Sequence, residues 1–284
     1  MSRVGRVTSD ADNAGTRVAA FFDVDNTVIR GASAFHIARG LWQRDYFTAR
    51  DILSFGYEQA TYVLFGETAE QMKRIRTHGL GIIKGWSVAE MTAVGEEVYD
   101  ELLASRVYPG TKDIIDEHLA KGHEVWLVTA SPIEIGRMIA RRIGATGALG
   151  TVAEHVNGHY TGRLEGDFLH GPRKADEVRR LAAERGLDLE ASHAYGDSLN
   201  DASMLQAVGH PCAINPEPRM RRLAIDRGWP IREFRKRRKS GRRGIVKGSI
   251  TGAFWITIQV TRGLKTALRT VLRRPAHDPD ARSL

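Results

Sequence analysis

Ala19-Ala20-Phe21-Phe22-Asp23-Val24-Asp25-Asn26-Thr27 decides the fold. A short apolar run of this kind reads as a buried strand. It stops abruptly at two carboxylates and a hydroxyl. Alternation along a strand puts Asp23 and Asp25 on one side, at or just past the strand's carboxyl end. Two acids so placed suit an oxygen-seeking divalent cation such as Mg²⁺. They also suit a division of labour, with one carboxylate attacking and the other moving protons. The competing reading is a plain strand followed by an acidic turn.

Downstream, the chain repeats the theme. Glu124 to Val128 is a second apolar strand, and it runs into Thr129-Ala130-Ser131-Pro132. Ser131 as N-cap, Pro132 at the first helical position and Glu134 in a capping box predict a helix start there, beside Thr129. Helix amino ends bind anions. Ser192 to Tyr195 forms another short strand that ends in Gly196-Asp197-Ser198-Leu199-Asn200-Asp201. Between them, Pro172 to Arg185 reads as a helix with Lys174 in its first turn, against the usual preference for anions there. Lys174 is therefore either a solvated surface charge or a cation aimed at phosphate. Val152 to Val156 and Tyr160 to Leu164, joined through Asn157-Gly158, predict a hairpin.

Strand and helix alternate from Val18 to Ile231, which predicts an α/β fold with a Rossmann-like parallel sheet. In such sheets ligands sit beyond the carboxyl ends of the strands, where Asp23, Asp25, Thr129, Asp197 and Asp201 are all expected. The stretch between the first two strands is instead helical. Ser33 to Asp45 and Thr48 to Phe65 carry apolar residues at helical spacing. Thr68 with Gln71, and Ser87 with Glu90, mark two further helix starts. The expected organisation is a 1–16 disordered N-terminus, a core of 17–31 plus 107–234, a helical cap at 32–106, and a tail at 235–284.

These residues resemble the phosphatase branch of the haloacid dehalogenase-like (HAD) superfamily, and the helical insert resembles the cap of its phosphoserine-phosphatase-like subfamily IB. The motifs that carry the resemblance are Asp23-Val24-Asp25-Asn26-Thr27, Thr129, Lys174 and Gly196 to Asp201, over roughly Val18 to Phe234. The resemblance implies a Mg²⁺-dependent phosphomonoester hydrolase with Asp23 as nucleophile and Asp25 as general acid and base. It implies Mg²⁺ on Asp23, the Asp25 backbone carbonyl and Asp197, with Asp201 in support. Thr129, Ala130, Lys174 and Asn200 would meet the phosphoryl group or orient the phosphorylated Asp23, and Thr27 would brace the loop. An acid two residues beyond the nucleophile points to a phosphatase or phosphomutase, since dehalogenase relatives and transport ATPases lack it. Two departures bear on substrate. Phosphoserine phosphatases carry a glutamate where this chain has Ala32, and a glycine where it has Ala130. Histidinol phosphate and lipid-derived phosphates therefore stand beside phosphoserine as candidates. A non-catalytic binding protein of the same fold is the alternative, disfavoured by the intact pair Asp23 and Asp25. Arg30, Arg39 and Arg44 could read a substrate carboxylate or simply be solvated helix charges.

Composition divides the molecule by charge. The 284 residues carry 42 Lys+Arg and 34 Asp+Glu, a formal net charge of +8. Arg232 to Leu284 alone holds 15 of those bases and 3 of the acids, so the remainder has a net charge of −4. The basic run from Arg235 to Arg243 precedes an amphipathic stretch, Ile245 to Leu272, with Ile250, Phe254 and Ile258 on one face. Its uncharged part is shorter than the ~20 residues a span requires. It fits a helix lying on an anionic membrane surface. Self-association or docking is one alternative. Nucleic acid is the competing polyanion, but no zinc spacing or stacking-aromatic pattern accompanies the run. A flexible solubilising tail explains the arginines but not Phe254, Trp255 and Ile256. The single cysteine, Cys212, fits a reducing compartment. With no apolar signal core before Thr16, the expected location is cytoplasmic, with the tail at the inner face of the membrane.

Overall fold

The computed structural model describes residues 17–44, 46, 80, 81 and 83–235. The expected disordered N-terminus, the helices expected over Thr48 to Phe65 and from Thr68, and all of the tail beyond Arg235 lie outside the described residues.

The chain forms a six-stranded parallel sheet. Its strands are β1 (Ala19–Asp23), β2 (Glu124–Pro132), β3 (Gly147–Thr151), β6 (His193–Gly196), β7 (His210–Ile214) and β8 (Ile231–Arg232), and their order is β3-β2-β1-β6-β7-β8. A separate antiparallel hairpin, β4 (Ala153–Val156) and β5 (His159–Leu164), falls where Asn157-Gly158 predicts it. Chain order reverses at β1, which lies between β2 and β6. This is the switch point where open parallel sheets bind ligands.

All five residues of β1 are buried, as expected for a central strand covered on both faces. Alternation sorts them. Ala19 and Phe21 join the cluster of Val178, Leu181, Met204, Leu205, Met220 and Ala224. These six come from α5 (Pro172–Arg185), α6 (Ala202–Leu205) and α7 (Pro218–Asp226). Phe22 turns the other way, stacking on Tyr195 with ring centroids 4.4 Å apart and meeting His118 edge-on at 6.2 Å. His118 belongs to α3 (Pro109–Ala120), which has Pro109 in its first turn.

Among the described residues, β1 and β2 are separated by α1 (Ser33–Gln43), α2 (Val88–Val98), one π-helical and one 3₁₀ turn over Tyr99–Leu103 and Ala104–Arg106, and then α3. Ser87 caps α2, its side chain accepting the Glu90 backbone N–H at 3.4 Å. α1 and α2 approach so closely that a Cβ on Gly40 would lie 2.3 Å from Val98 Cγ2. Arg44, the C-cap of α1, pairs with Glu97 of α2 at 3.1 Å and with Glu101 of the π-helical turn at 2.7 Å. That accounts for its charge without a substrate.

Two expectations need correction. β2 runs on to Pro132, and α4 (Ile133–Ile143) begins only after it, with Pro132 itself as N-cap and no side-chain cap. Ser131 is therefore not the cap, and its hydroxyl instead lies 3.1 Å from that of Ser33. The strand continues because Thr151 on β3 donates its hydroxyl to the Ala130 carbonyl at 2.8 Å, across a register shift between Val128 and Pro132. The sequence reading also passes over β3. Gly-Ala-Leu-Gly-Thr is a weak strand signal, but its glycines leave room for neighbours. A Cβ on Gly147 would lie 2.5 Å from the Trp126 ring, and one on Gly150 2.8 Å from Ile133 Cα. Among the described residues, no helix is long and apolar enough to cross a membrane.

Candidate active site

Two neighbouring sheet strands deliver acids to one place. Asp23 is the last residue of β1, and Asp197 follows the last residue of β6. Asp201 closes the short 3₁₀ turn Leu199–Asp201, where it forms a reciprocal capping box with Ser198. One carboxylate oxygen from each of Asp23, Asp197 and Asp201 lies within 4.8 Å of the others, and all three residues are buried. Asp201 can come this close because residue 196 is glycine. A Cβ there would sit 2.5 Å from the Asp201 Cβ.

Lys174 enters the cluster from the first turn of α5. Its ammonium donates to Asp23 Oδ1 and to Asp201 Oδ1, both at 2.6 Å, and the residue is only 2% exposed. Such burial rules out the solvated surface charge. A lysine buried this deeply is held charged only by partners of opposite sign. Burial acts against its charge, but Asp201 and then Asp23 outweigh it and raise its pKa above the ordinary value. The acids respond in the opposite sense. Burial, followed by repulsion from Asp201, raises Asp23 despite Lys174. Burial, followed by repulsion from Asp23 and Asp201, raises Asp197.

Ionising all three carboxylates against one ammonium would leave an uncompensated charge of −2 in a buried space, which is what raises Asp23 and Asp197. A hard divalent cation such as Mg²⁺ would neutralise it, and an all-oxygen donor set is the kind it takes. Asp201 is the least available of the three. One of its oxygens is held by Lys174. The other accepts the Asp197 and Ser198 backbone N–H groups at 3.3 and 3.1 Å and the Ser198 hydroxyl at 3.0 Å.

The remaining predicted residues surround this centre in different ways. Asp25 lies past the strand end, half-buried, and accepts the Ser33 backbone N–H at 2.8 Å. Thr129 is buried within β2, four residues before α4 begins. Its hydroxyl accepts the Ser131 N–H at 3.1 Å. Ala130 carries the carbonyl held by Thr151. Thr27 is buried with its hydroxyl unpartnered among the described residues, and it braces the loop through its backbone carbonyl, which accepts the Thr111 hydroxyl at 2.8 Å. Asn200 is exposed on its 3₁₀ turn, apart from the buried acids. Ala32 is also exposed, at the N-cap of α1, with no group to hold an ammonium.

The sequence reading passed over residues that tie the site's loops together. Asn26 takes a left-handed backbone, φ 62°, and its side chain accepts the Gly31 N–H at 3.1 Å. Asn215, φ 48°, donates to the Asn26 carbonyl at 3.0 Å and accepts the Phe234 and Arg235 N–H groups at 2.7 and 3.1 Å. Asparagine tolerates this backbone region better than other side-chain-bearing residues. An Asn-Pro pair directly after an apolar strand was the available signal. Arg235, which opens the basic run, reaches back to within 3.9 Å of Asp197.

Comparison with known proteins agrees with this geometry. The family model of haloacid dehalogenase-like hydrolases matches residues 20–206. Phosphoserine phosphatase SerB1 of Mycobacterium tuberculosis (strain H37Rv) is 52% identical over 236 residues, 83% of this chain and 77% of that protein. The crystal structure of a protein of unknown function from Bordetella pertussis Tohama I superposes with a TM-score of 0.67 at 30% identity, covering 77% of this chain and 99% of that one. A phospho-aspartyl intermediate analogue of phosphoserine phosphatase shares the fold, with a TM-score of 0.51 at 19% identity over 78% of this chain and 95% of that one. With its acids and buried lysine at the switch point of a parallel sheet, the chain is an enzyme of the haloacid dehalogenase-like hydrolase family and groups with its phosphoserine-phosphatase-like members.

Proposed function

We propose that this enzyme hydrolyses small phosphomonoesters with Mg²⁺, through a phosphorylated Asp23. The observation that carries the reading is Lys174, buried and bridging Asp23 to Asp201, with Asp197 alongside and Asp25 two residues on. A carboxylate oxygen of Asp23 attacks phosphorus and the ester P–O bond breaks. The departing alkoxide takes a proton from Asp25. Water then attacks the same phosphorus and gives its proton to Asp25, and the bond from phosphorus to Asp23 breaks to release phosphate. Lys174 holds the attacking carboxylate in place and carries positive charge to the phosphoryl oxygens as charge spreads over them. Thr129 and the Ala130 backbone, from β2, and Asn200, from its exposed 3₁₀ turn, would meet the phosphoryl oxygens or orient the phosphorylated Asp23. Asp23, Asp197 and the backbone carbonyl of Asp25 would hold Mg²⁺, with Asp201 positioning Lys174 and the 196–198 backbone. When bound, the cation supplies charge neutralisation for the carboxylates and the incoming phosphate.

Likeness to a phosphoserine phosphatase supports an amino-alcohol phosphate as substrate, while Ala32 removes the partner expected for its ammonium group. A second reading, a leaving group with an apolar part such as a lipid-derived phosphate, rests on a cavity of about 150 Å³. Ile37, Leu41, Met91, Met138 and Tyr160 line it, together with Pro132, next to Ser131. The test is phosphate release from a panel of monoesters including p-nitrophenyl phosphate, phosphoserine, histidinol phosphate and a lysophospholipid phosphate, each with Mg²⁺ and with chelator. Turnover that requires Mg²⁺, with phosphoserine not leading by orders of magnitude, is the expected outcome. No release from any ester would overturn the reading. The peripheral-membrane role of the tail rests on its sequence alone.

A further inference from the structure

The amino edge of the sheet, opposite the carboxylates, carries a second cluster of potential ligands. His193 opens β6, His210 opens β7, and His123 immediately precedes β2. His118, buried in the last turn of α3, packs against them. The strands are parallel and paired in register, Ala20 with His193 and His193 with His210, so these rings gather at one edge. His118 Nδ1 lies 2.9 Å from His123 Nδ1, and one ring nitrogen from each of His118, His123 and His193 falls within 4.8 Å of the other two.

We propose that His118, His123 and His193 bind one divalent transition-metal ion of the imidazole-preferring class, with Zn²⁺ as the representative. Tetrahedral zinc with bonds of 2.0–2.1 Å separates its ligand nitrogens by about 3.4 Å. Small ring rotations therefore bring this set to bonding distance. The arrangement also has the outer support that metal-binding imidazoles need. The Tyr195 hydroxyl lies 2.8 Å from His118 Nε2, fixing that nitrogen and leaving Nδ1 to face His123. Phe22 stacks on Tyr195 and holds it in turn. Imidazole donors without carboxylates select this class of ion over Mg²⁺, so the two sites sort their metals by ligand chemistry.

The electrostatic setting is mixed. Burial first, then neighbouring histidines and Lys121, push His118 and His193 down to about 4. Burial and Lys121 lower His123. The rings are therefore neutral, as ligands must be, at neutral pH. The same Lys121 ammonium opposes a cation, whereas Glu117, near Tyr195, favours one. His210, exposed and stacked on His193 with centroids 4.7 Å apart, stands next in line as a fourth ligand, with water the other choice.

The experiment uses the untagged full-length chain, stripped with chelator, dialysed, and saturated with Mg²⁺ to fill the carboxylate site. Zn²⁺ is titrated against a colorimetric chelator while imidazole ¹⁵N resonances are followed. The expected result is one equivalent of Zn²⁺ that shifts nitrogen resonances of the three histidines. His123→Ala with His193→Ala should weaken binding by at least 10- to 100-fold while leaving Mg²⁺-dependent phosphate release unchanged. Equal binding by wild type and the double variant, or no binding by wild type, overturns the proposal. If the double variant fails to fold, His123→Gln and the wild-type resonances decide. Histidine signals that ignore one equivalent of Zn²⁺ reduce the cluster to a stack of neutral rings.

Discussion

Lys174 shows how one residue's surroundings fix its role. It contacts two buried carboxylates, so removing its charge leaves both without their cation in a largely buried site. Lys174→Met should cost about 3–5 kcal/mol of stability in the metal-free protein, read by denaturant unfolding, and should reduce phosphate release to background. A stability change below about 1 kcal/mol would mean that the pair is solvated. Asp23→Asn keeps shape but removes the attacking charge, so turnover should fall by at least about a thousandfold while circular dichroism stays unchanged. Much of this site was legible in the sequence because acids at strand ends are unusual and local. Asp23, Asp25, Asp197 and Lys174 each stand out against an apolar or helical background. What stayed hidden depends on distant contacts. The Asn-Pro pair marks a turn at Asn215, but not that its amide joins the Asn26 loop to Phe234 and Arg235, since that link spans 189 residues to Asn26.

Elements were legible where periodicity and caps agree. The helix read from Pro172 to Arg185 is α5 to the residue, bounded by glycines at both ends. β3 was not legible, because its two glycines answer to Trp126 and Ile133 across space rather than to any local preference. The start of α4 differs from the expected one for a related reason. Ser131-Pro132 carries good capping chemistry, but the Thr151 bond to Ala130 extends the strand past it. Glycine 196 is a test at this scale. Gly196→Ala places a methyl group 2.5 Å from the Asp201 Cβ, so the 3₁₀ turn must move. The expected cost is about 1–3 kcal/mol, with turnover falling further than Mg²⁺ saturation can restore. An alanine variant with normal turnover would show that Asp201 need not sit so close.

At the scale of the whole molecule, the two edges of one sheet carry opposite chemistry, acids at the carboxyl ends and histidines at the amino ends. The histidines should give stability a pH dependence. His118 and His193 fall to about 4 in the fold, from an ordinary value of 6.5, chiefly by burial. Between those values the unfolded chain binds protons that the folded chain refuses, so stability present above pH 6.5 is lost as pH falls toward 4. Urea unfolding in saturating Mg²⁺ should show that decline, and His193→Gln should flatten it. A flat profile in the wild type would contradict the burial of these rings. The charge division makes a separate prediction about the tail. Each clustered cation is worth about 1 kcal/mol near an anionic surface, and the remainder of the chain has a net charge of −4. Truncation after Arg235, which keeps the bonds of that residue to Asn215, should abolish co-sedimentation with anionic vesicles and spare hydrolysis of p-nitrophenyl phosphate. Equal pelleting of full-length and truncated protein would remove the membrane role.

The most direct test of the central claim is chemical trapping of the phosphorylated enzyme. The full-length protein is mixed with Mg²⁺ and p-nitrophenyl phosphate, or the best ester of the panel, then quenched in acid and reduced with borohydride. An aspartyl phosphate is reduced to homoserine, which peptide mass spectrometry locates by residue. The account predicts homoserine at position 23, dependent on both Mg²⁺ and substrate and enriched in Asp25→Asn, where breakdown is slowed more than formation. Efficient turnover with Asp23 unmodified in both proteins would contradict it.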